Sequence, residues 1–399
     1  MKIAIVHAKV IQGGAEKIIV FFAHYLKKKG HEVDVITLHL RQHELNADFI
    51  KGTNFITPPG FLKQLCAVPF FRKMFGFPIL YFMLKARINK YDIIHANNFP
   101  SHWVAGLLAP EKTVWQCNEP PLKVDAAHIK SVGLMEYLLS FIYTGALDKK
   151  IVKKIAAIVV LDNMNAERIK NIYGRKDAII NYIGIDEDYF KKPAAAKEVF
   201  RKNHLNPKDR HLICAGNLVP GKNQQLLIKA LKTLETGGIK NLKLILVGRG
   251  PDRERLEVLA GELGVLKNVI FKGFVTNKEL RELYSIADIN LFPAVKQSWG
   301  LTPFEAAAQK VMSIVSNDCG TAEVIKKQEI GRVTPPVAEK FAEEIRSLLK
   351  AAAKRKQLGK KAYLFVRKEM TWKKYTAIME KLFETIIIKN KKVKTDGKN

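Results

Sequence analysis

Acidic residues are in short supply in this chain. Its 399 residues hold 38 Asp and Glu against 67 Lys and Arg, a formal charge of +29. Between Phe49 and Tyr91 there is no acidic residue at all. Such an excess implies an anionic partner: nucleic acid, anionic lipid or a phosphorylated substrate. Cysteine is also sparse. Cys66, Cys117, Cys214 and Cys319 share no close spacing, which argues against a disulfide framework and a zinc site and fits a reducing compartment. No run reaches the ~18 uncharged apolar residues of a membrane span. The opening Met1-Lys2-Ile3-Ala4-Ile5-Val6 is too short for a secretory apolar core and reads as a first buried strand. Helix-turn-helix, zinc-finger and RNA-recognition patterns are missing, so nucleic acid is not the expected partner.

The composition that remains, 47% hydrophobic and 26% charged, is that of a globular protein, and the length suits two domains. Within the acid-free stretch, Lys51, Lys63, Arg72, Lys73, Lys85, Arg87 and Lys90 are interleaved with Phe61, Phe70, Phe71, Phe75, Phe77, Tyr81 and Phe82. Aromatic and basic residues mixed this densely suit the headgroup zone of an anionic membrane. The competing reading is an aromatic core solvated by lysines. The end of the chain, 389–399, is polar and basic and is expected to be a disordered tail.

Strand and helix patterns alternate. Ile3 to His7 reads as a strand, followed by the loop Gln12-Gly13-Gly14 and a helix with Ile18, Ile19, Phe22 and Leu26 on one face, ending at Gly30. Further strands are expected at Val33 to Leu38, Ile93-Ile94, Thr113 to Trp115, Ala157 to Leu161 and Ile179 to Ile183. The rhythm restarts after Lys191-Lys192-Pro193, with strands at His211 to Ala215, Leu242 to Val247, Val269 to Phe271 and Ile289 to Phe292. A βαβ rhythm predicts parallel, doubly wound sheets. The expected division is 1–190, 191–370 and a C-terminal helix over about 371–388 packing back on the first domain.

In such sheets ligands collect beyond the carboxyl ends of the strands. Gly13 and Gly14 let a backbone approach a substrate there, or simply make a tight turn. The loop lacks a G-x-G-x-x-G pattern, so a dinucleotide is not expected. Lys222 follows the first strand of the second half; it could neutralise a diphosphate, or be an ordinary surface lysine. The most informative segment runs from Phe292 to Glu323. Gly300 suits a turn needing an unusual backbone. Thr302-Pro303-Phe304-Glu305 reads as a helix start, with Thr302 as N-cap and Glu305 as the capping-box glutamate or a ligand. A helix start of this kind attracts phosphate.

These motifs together resemble glycosyltransferase family 4, the retaining group 1 glycosyl transferases. Gly13-Gly14-Ala15-Glu16 looks like the family's first loop, Asn217 to Lys222 like its arginine–lysine clamp, and Gln297 to Glu305 like its paired acidic residues. Tyr182 to Asp186, Val247 to Pro251, Gly320 to Glu323 and Thr371-Trp372 extend the resemblance over nearly the whole chain. It implies a GT-B fold, two Rossmann-like doubly wound domains facing a central cleft. It implies hexose transfer from a nucleoside diphosphate sugar to a glycan or lipid-linked acceptor, as in polysaccharide or lipopolysaccharide biosynthesis, with no metal and no cofactor. The expected place is the cytoplasm, at the inner face of the membrane. Asn118, Lys222, Gln297 and Glu305 take the catalytic positions. Gly13, Gly14, Asn217, Gly248, Arg249, Gly300, Leu301 and Thr302 join Glu305 as donor contacts. Three positions depart from the pattern, with Asn118 for a histidine, Asn217 for the arginine and Gln297 for the first acidic residue. A nucleotide-sugar-binding protein without turnover is therefore the rival reading.

Overall fold

The structure is a computed structural model that describes residues 1–11, 14–45, 47–120, 146–297 and 299–396. It comprises two compact units, Met1–Ile183 with Trp372–Asn399, and Gly184–Thr371.

The first unit holds seven strands, β1 (Lys2–Val10), β2 (Glu32–Leu40), β3 (Asn54–Ile56), β4 (Ile93–Asn97), β5 (Thr113–Cys117), β6 (Ala157–Val160) and β7 (Ile179–Ile180). Their order across the sheet is β3-β2-β1-β4-β5-β6-β7, and every pairing is parallel. The second holds β8 (Arg210–Ala215), β9 (Leu242–Val247), β10 (Val269–Gly273), β11 (Ile289–Phe292), β12 (Ser313–Ser316) and β13 (Gly331–Thr334). They run β10-β9-β8-β11-β12-β13, again all parallel. The expected doubly wound α/β architecture is thus present twice. The strand order reverses between β1 and β4 and between β8 and β11, and each reversal opens a crevice beyond the strand ends.

Continuous apolar runs explain why these strands are central. Ile3, Ala4, Ile5 and Val6 are all fully buried, as a strand covered on both faces requires. Helix Gly14–Lys28 packs through Phe22, which meets Tyr375 and Phe383 of the helix Trp372–Asp396 at ring distances of 5.1 and 6.2 Å. That last helix differs from expectation at its end. It continues through the basic stretch to Asp396, where an unstructured tail is expected from residue 389. Lys and Arg are good helix formers on a solvated face, and no Gly or Pro intervenes before Asp396. The four cysteines are buried thiols outside any disulfide.

Two buried histidines of the first unit are held neutral. His7 donates from Nδ1 to the Asn97 carbonyl at 3.2 Å, and His95 Nδ1 accepts from Asn97 Nδ2 at 3.1 Å. Neither Nε2 has a partner. Burial pulls the two imidazoles down to about 4 and about 3. Asp148 nearby accepts from His102, Trp103 and Tyr173. Burial pushes its carboxyl up, but these donors win and hold it below the usual value. The unfolded chain binds protons on all three groups before the folded one does, so stability falls as pH falls. Each histidine contributes stability that is complete above the unfolded value and fades as pH drops toward the folded one. The expected loss in chemical denaturation is on the order of 2 kcal/mol per histidine between about pH 7 and pH 5. Unchanged stability over that range would refute the neutral assignment.

Candidate functional site

In the second unit, the loops after β8 and β9 close on each other through backbone. Leu218 N–H donates to the Arg249 carbonyl at 2.9 Å, and Asp252 N–H to the Leu218 carbonyl at 3.1 Å. Side chains are sterically excluded along this seam. A Cβ on Gly248 would lie 2.0 Å from the Gly216 carbonyl oxygen, and one on Gly250 would lie 2.1 Å from that of Leu218. Gly248 also has φ +139°, which disfavours other residues. The β10 end joins through Gly248 N–H to the Gly273 carbonyl at 2.8 Å.

This seam sets the position of Lys222, in the turn Pro220–Lys222. The turn is tied to the segment after β11 by Val295 N–H to the Gly221 carbonyl at 3.0 Å and by Asn223 Nδ2 to the Pro293 carbonyl at 3.3 Å. Lys222 Nζ then donates to Gln297 Oε1 at 2.6 Å and lies 5.6 Å from the centre of the Phe292 ring. Gln297 Nε2 in turn donates to the Trp299 carbonyl at 2.6 Å. An amide can accept on one side and donate on the other; a carboxylate in the same place could only accept. The Gln297 backbone is fixed as well, its carbonyl accepting from Gly320 N–H at 3.0 Å.

The next turn corrects two expectations. Gly300 does not have a positive φ. It is glycine for want of room, since a Cβ would fall 2.2 Å from the Phe292 ring. Thr302 is not the N-cap. Leu301, with φ −79° and ψ −29°, already has helical geometry and occupies the cap position of helix Thr302–Ala308, with no side-chain cap. Glu305 consequently falls one position too far along to form a capping box. The chain builds a true one elsewhere, at Thr276 and Glu279. The hydroxyl of Thr302 is buried without a partner.

Glu305 is 5% exposed and sits beside two tyrosines. Burial pushes the Tyr189 phenol well up, and the Glu305 charge and a hydrogen bond with it add to the rise. Tyr284 is raised by burial and then by the same charge. Neither tyrosine is flagged by the sequence, because Tyr189 follows the acidic run Asp186-Glu187-Asp188 and Tyr284 lies in an ordinary mixed helix pattern; the spacing of Tyr189 from Asp186, behind the Tyr182 to Asp186 motif, was the available signal.

The other expected positions scatter. Asn217 is exposed, and its carbonyl accepts from Gln224 Nε2 at 3.0 Å. Arg249 is exposed over the Phe274 ring at 5.6 Å. Asn118 is in the first unit after β5, its Oδ1 accepting from Gln116 Nε2 at 3.3 Å and its carbonyl from Asn165 Nδ2 at 3.1 Å. Gly14 begins the first helix, and Gly13 lies outside the described residues. A separate cavity of about 570 Å³, with Arg332, Lys354 and Lys361 in its wall, contains none of the expected residues.

Two all-parallel doubly wound units, of seven and six strands, match the GT-B fold of solved glycosyltransferase structures. Residues 12–189 match the model of Glycosyltransferase Family 4, and residues 196–365 that of Glycosyl transferases group 1. The chain belongs to glycosyltransferase family 4. An uncharacterized glycosyltransferase of Methanocaldococcus jannaschii is 28% identical over 83% of this chain and 84% of that protein. A GDP-mannose-dependent alpha-(1-6)-phosphatidylinositol monomannoside mannosyltransferase of Mycobacterium tuberculosis is 30% identical over 43% of this chain and 49% of that one. Among solved structures, Anabaena HepE in complex with UDP-glucose superimposes with a TM-score of 0.73 at 16% identity, over 97% of this chain and 99% of that one.

The seam predicts a graded response to alanine. Gly300→Ala is expected to lower unfolding stability by about 1–3 kcal/mol, and Gly248→Ala by more, because its obstruction is backbone. Gly221→Ala, with nothing within 4 Å of the added carbon, should stay within about 0.5 kcal/mol of the parent. Equal effects in denaturant titrations of the three variants would contradict the packing.

Proposed function

We propose that the chain is a retaining hexosyltransferase that uses a nucleoside diphosphate sugar and a glycan or lipid-linked acceptor at a membrane surface. The observation that carries this is the pairing of Lys222 with Gln297 at the carboxyl ends of β8 and β11, where open sheets bind their ligands. The family membership and the UDP-glucose complex of HepE support the donor class, and the phosphatidylinositol monomannoside acceptor of the mycobacterial relative supports the lipid.

Lys222 brings positive charge to the diphosphate as it leaves, in a site preorganised by the glycine seam. Glu305 accepts from the ribose hydroxyls, its carboxylate steadied by Tyr189. Gly248, Arg249, Asn217 and the Gly300-Leu301-Thr302 turn complete the donor contacts, and the Thr302 hydroxyl has hydrogen-bonding capacity to give. Asn118 keeps the role the resemblance implies, a neutral contact to the sugar.

The anomeric carbon–oxygen bond to the diphosphate breaks, and a bond to the acceptor oxygen forms on the same face. The acceptor's proton passes to the departing diphosphate oxygen. No protein nucleophile and no charge at position 297 are needed, so the three amides are compatible with turnover. Gln297 instead keeps Lys222 in place without a negative charge beside the incoming phosphates.

Release of nucleoside diphosphate, measured across UDP- and GDP-sugars with glycolipid acceptors, tests this. Lys222→Ala is expected to lower kcat/KM by about a hundredfold or more. Gln297→Glu, which restores a carboxylate, is expected to weaken nucleoside diphosphate binding by about three- to tenfold in calorimetry, because Lys222 then has an internal anion. Donor binding with no release under any acceptor would make the chain a binding protein, and undiminished transfer by Lys222→Ala would remove the diphosphate clamp.

A further inference from the structure

The acid-free stretch folds into two adjoining helices, Gly60–Ala67 and Pro69–Lys85. The longer one is apolar on opposite sides. Gly76, Leu80, Met83 and Leu84 form its buried stripe, and the last three join the core of Val6, Ile36 and Leu38. About half a turn away, Phe71, Met74, Phe75, Pro78 and Phe82 recur at helical spacing along the other side. Phe82 is 65% exposed and Met74 51%; Phe70 and, on the shorter helix, Phe61 are 65% and 72% exposed. Side chains of this size left in water over two neighbouring helices mark a surface made to be covered.

The charges around it identify the cover. Lys63, Lys73 and Lys85 are exposed beside the phenylalanines, and no carboxylate lies anywhere in the stretch. A second copy of the chain would bring the same cations against each other, since a two-fold contact pairs a patch with itself. Met74, Leu62 and Val68 offer no ring for a base to stack on. A layer with anionic headgroups above acyl chains satisfies both components at once. The 17-residue helix is only about 25 Å long, and no helix among the described residues is long and apolar enough to cross a bilayer.

We propose that the pair of helices Gly60–Ala67 and Pro69–Lys85 lies flat in the headgroup layer of an anionic membrane, with Phe61, Phe70, Met74 and Phe82 inserted and Lys63, Lys73 and Lys85 at the phosphates. This deepens the membrane-surface reading by naming the docking face. Vesicle binding needs neither donor nor acceptor, so its failure would leave sugar transfer standing.

The test is cosedimentation of the full chain with phosphatidylcholine vesicles, with and without phosphatidylglycerol, at rising salt. The parent should bind the mixed vesicles and weaken as salt rises. The triple variant Phe70→Ser, Met74→Ser, Phe82→Ser should lose at least about tenfold in partitioning at every salt concentration, with an unchanged melting temperature. Lys63→Glu, Lys73→Glu, Lys85→Glu should abolish the preference for phosphatidylglycerol, which keeps the proposal falsifiable if the serine variant fails to fold. Binding by the serine variant equal to the parent's, a parent that binds neither vesicle, or a retained lipid preference in the glutamate variant would each overturn it. So would a concentration-dependent dimer that the serine variant abolishes, which would assign the face to a second copy.

Discussion

The close approach of two backbones after β8 and β9 is the constraint on which the rest of the candidate site depends. With the Gly248 Cβ position 2.0 Å from the Gly216 oxygen, the loop bearing Lys222 has one path available. From there the order is linear. The turn at Lys222 is tied to the segment after β11, that segment presents Gln297, and the Gln297 backbone anchors Gly320. Rigidity is built from main chain, which has no rotamers to lose. The lysine side chain carried by this frame is held at its tip by Gln297.

The sheets were legible in the sequence because their strands are buried on both faces and read as unbroken apolar runs. Ile3 to Val6 and Leu244 to Val247 can scarcely be anything else. The switch points followed from the same rhythm. Details set by tertiary contact were not legible. Gly300 reads as a flexible turn, yet its reason is the ring of Phe292, a neighbour that sequence spacing does not reveal. Thr302 has every local mark of an N-cap, but the chain enters the helix one residue early, at Leu301, after a residue whose N–H is bound across the fold to Thr321 Oγ1 at 2.9 Å. The acid-free stretch gave its chemistry but not its form. A helix apolar on two sides has no period that separates core from surface, and only the structure shows which side is covered.

The three amide positions look like a uniform loss of charge in the sequence, but they have different settings. Asn118 is held by Gln116, which in turn accepts from the Tyr375 hydroxyl at 2.9 Å. Asn217 points its side chain to solvent and contributes its carbonyl. Gln297 bridges a cation and a carbonyl, a task that requires an amide. A residue that departs from a family pattern can therefore be the best residue for its surroundings.

The helix Trp372–Asp396 returns the chain to its first unit after the whole second unit has been traversed. Its Tyr375 and Phe383 rings close over Phe22, and all three are fully buried. On the ribosome the second unit, contiguous in sequence, has all its residues before that helix is made. The first unit emerges earlier but waits, with Phe22 uncovered, for a segment synthesised after the whole second unit. Order of synthesis and order of completion are therefore reversed between the two units, and a chain cut short before residue 372 would keep its second core intact while leaving the first one open.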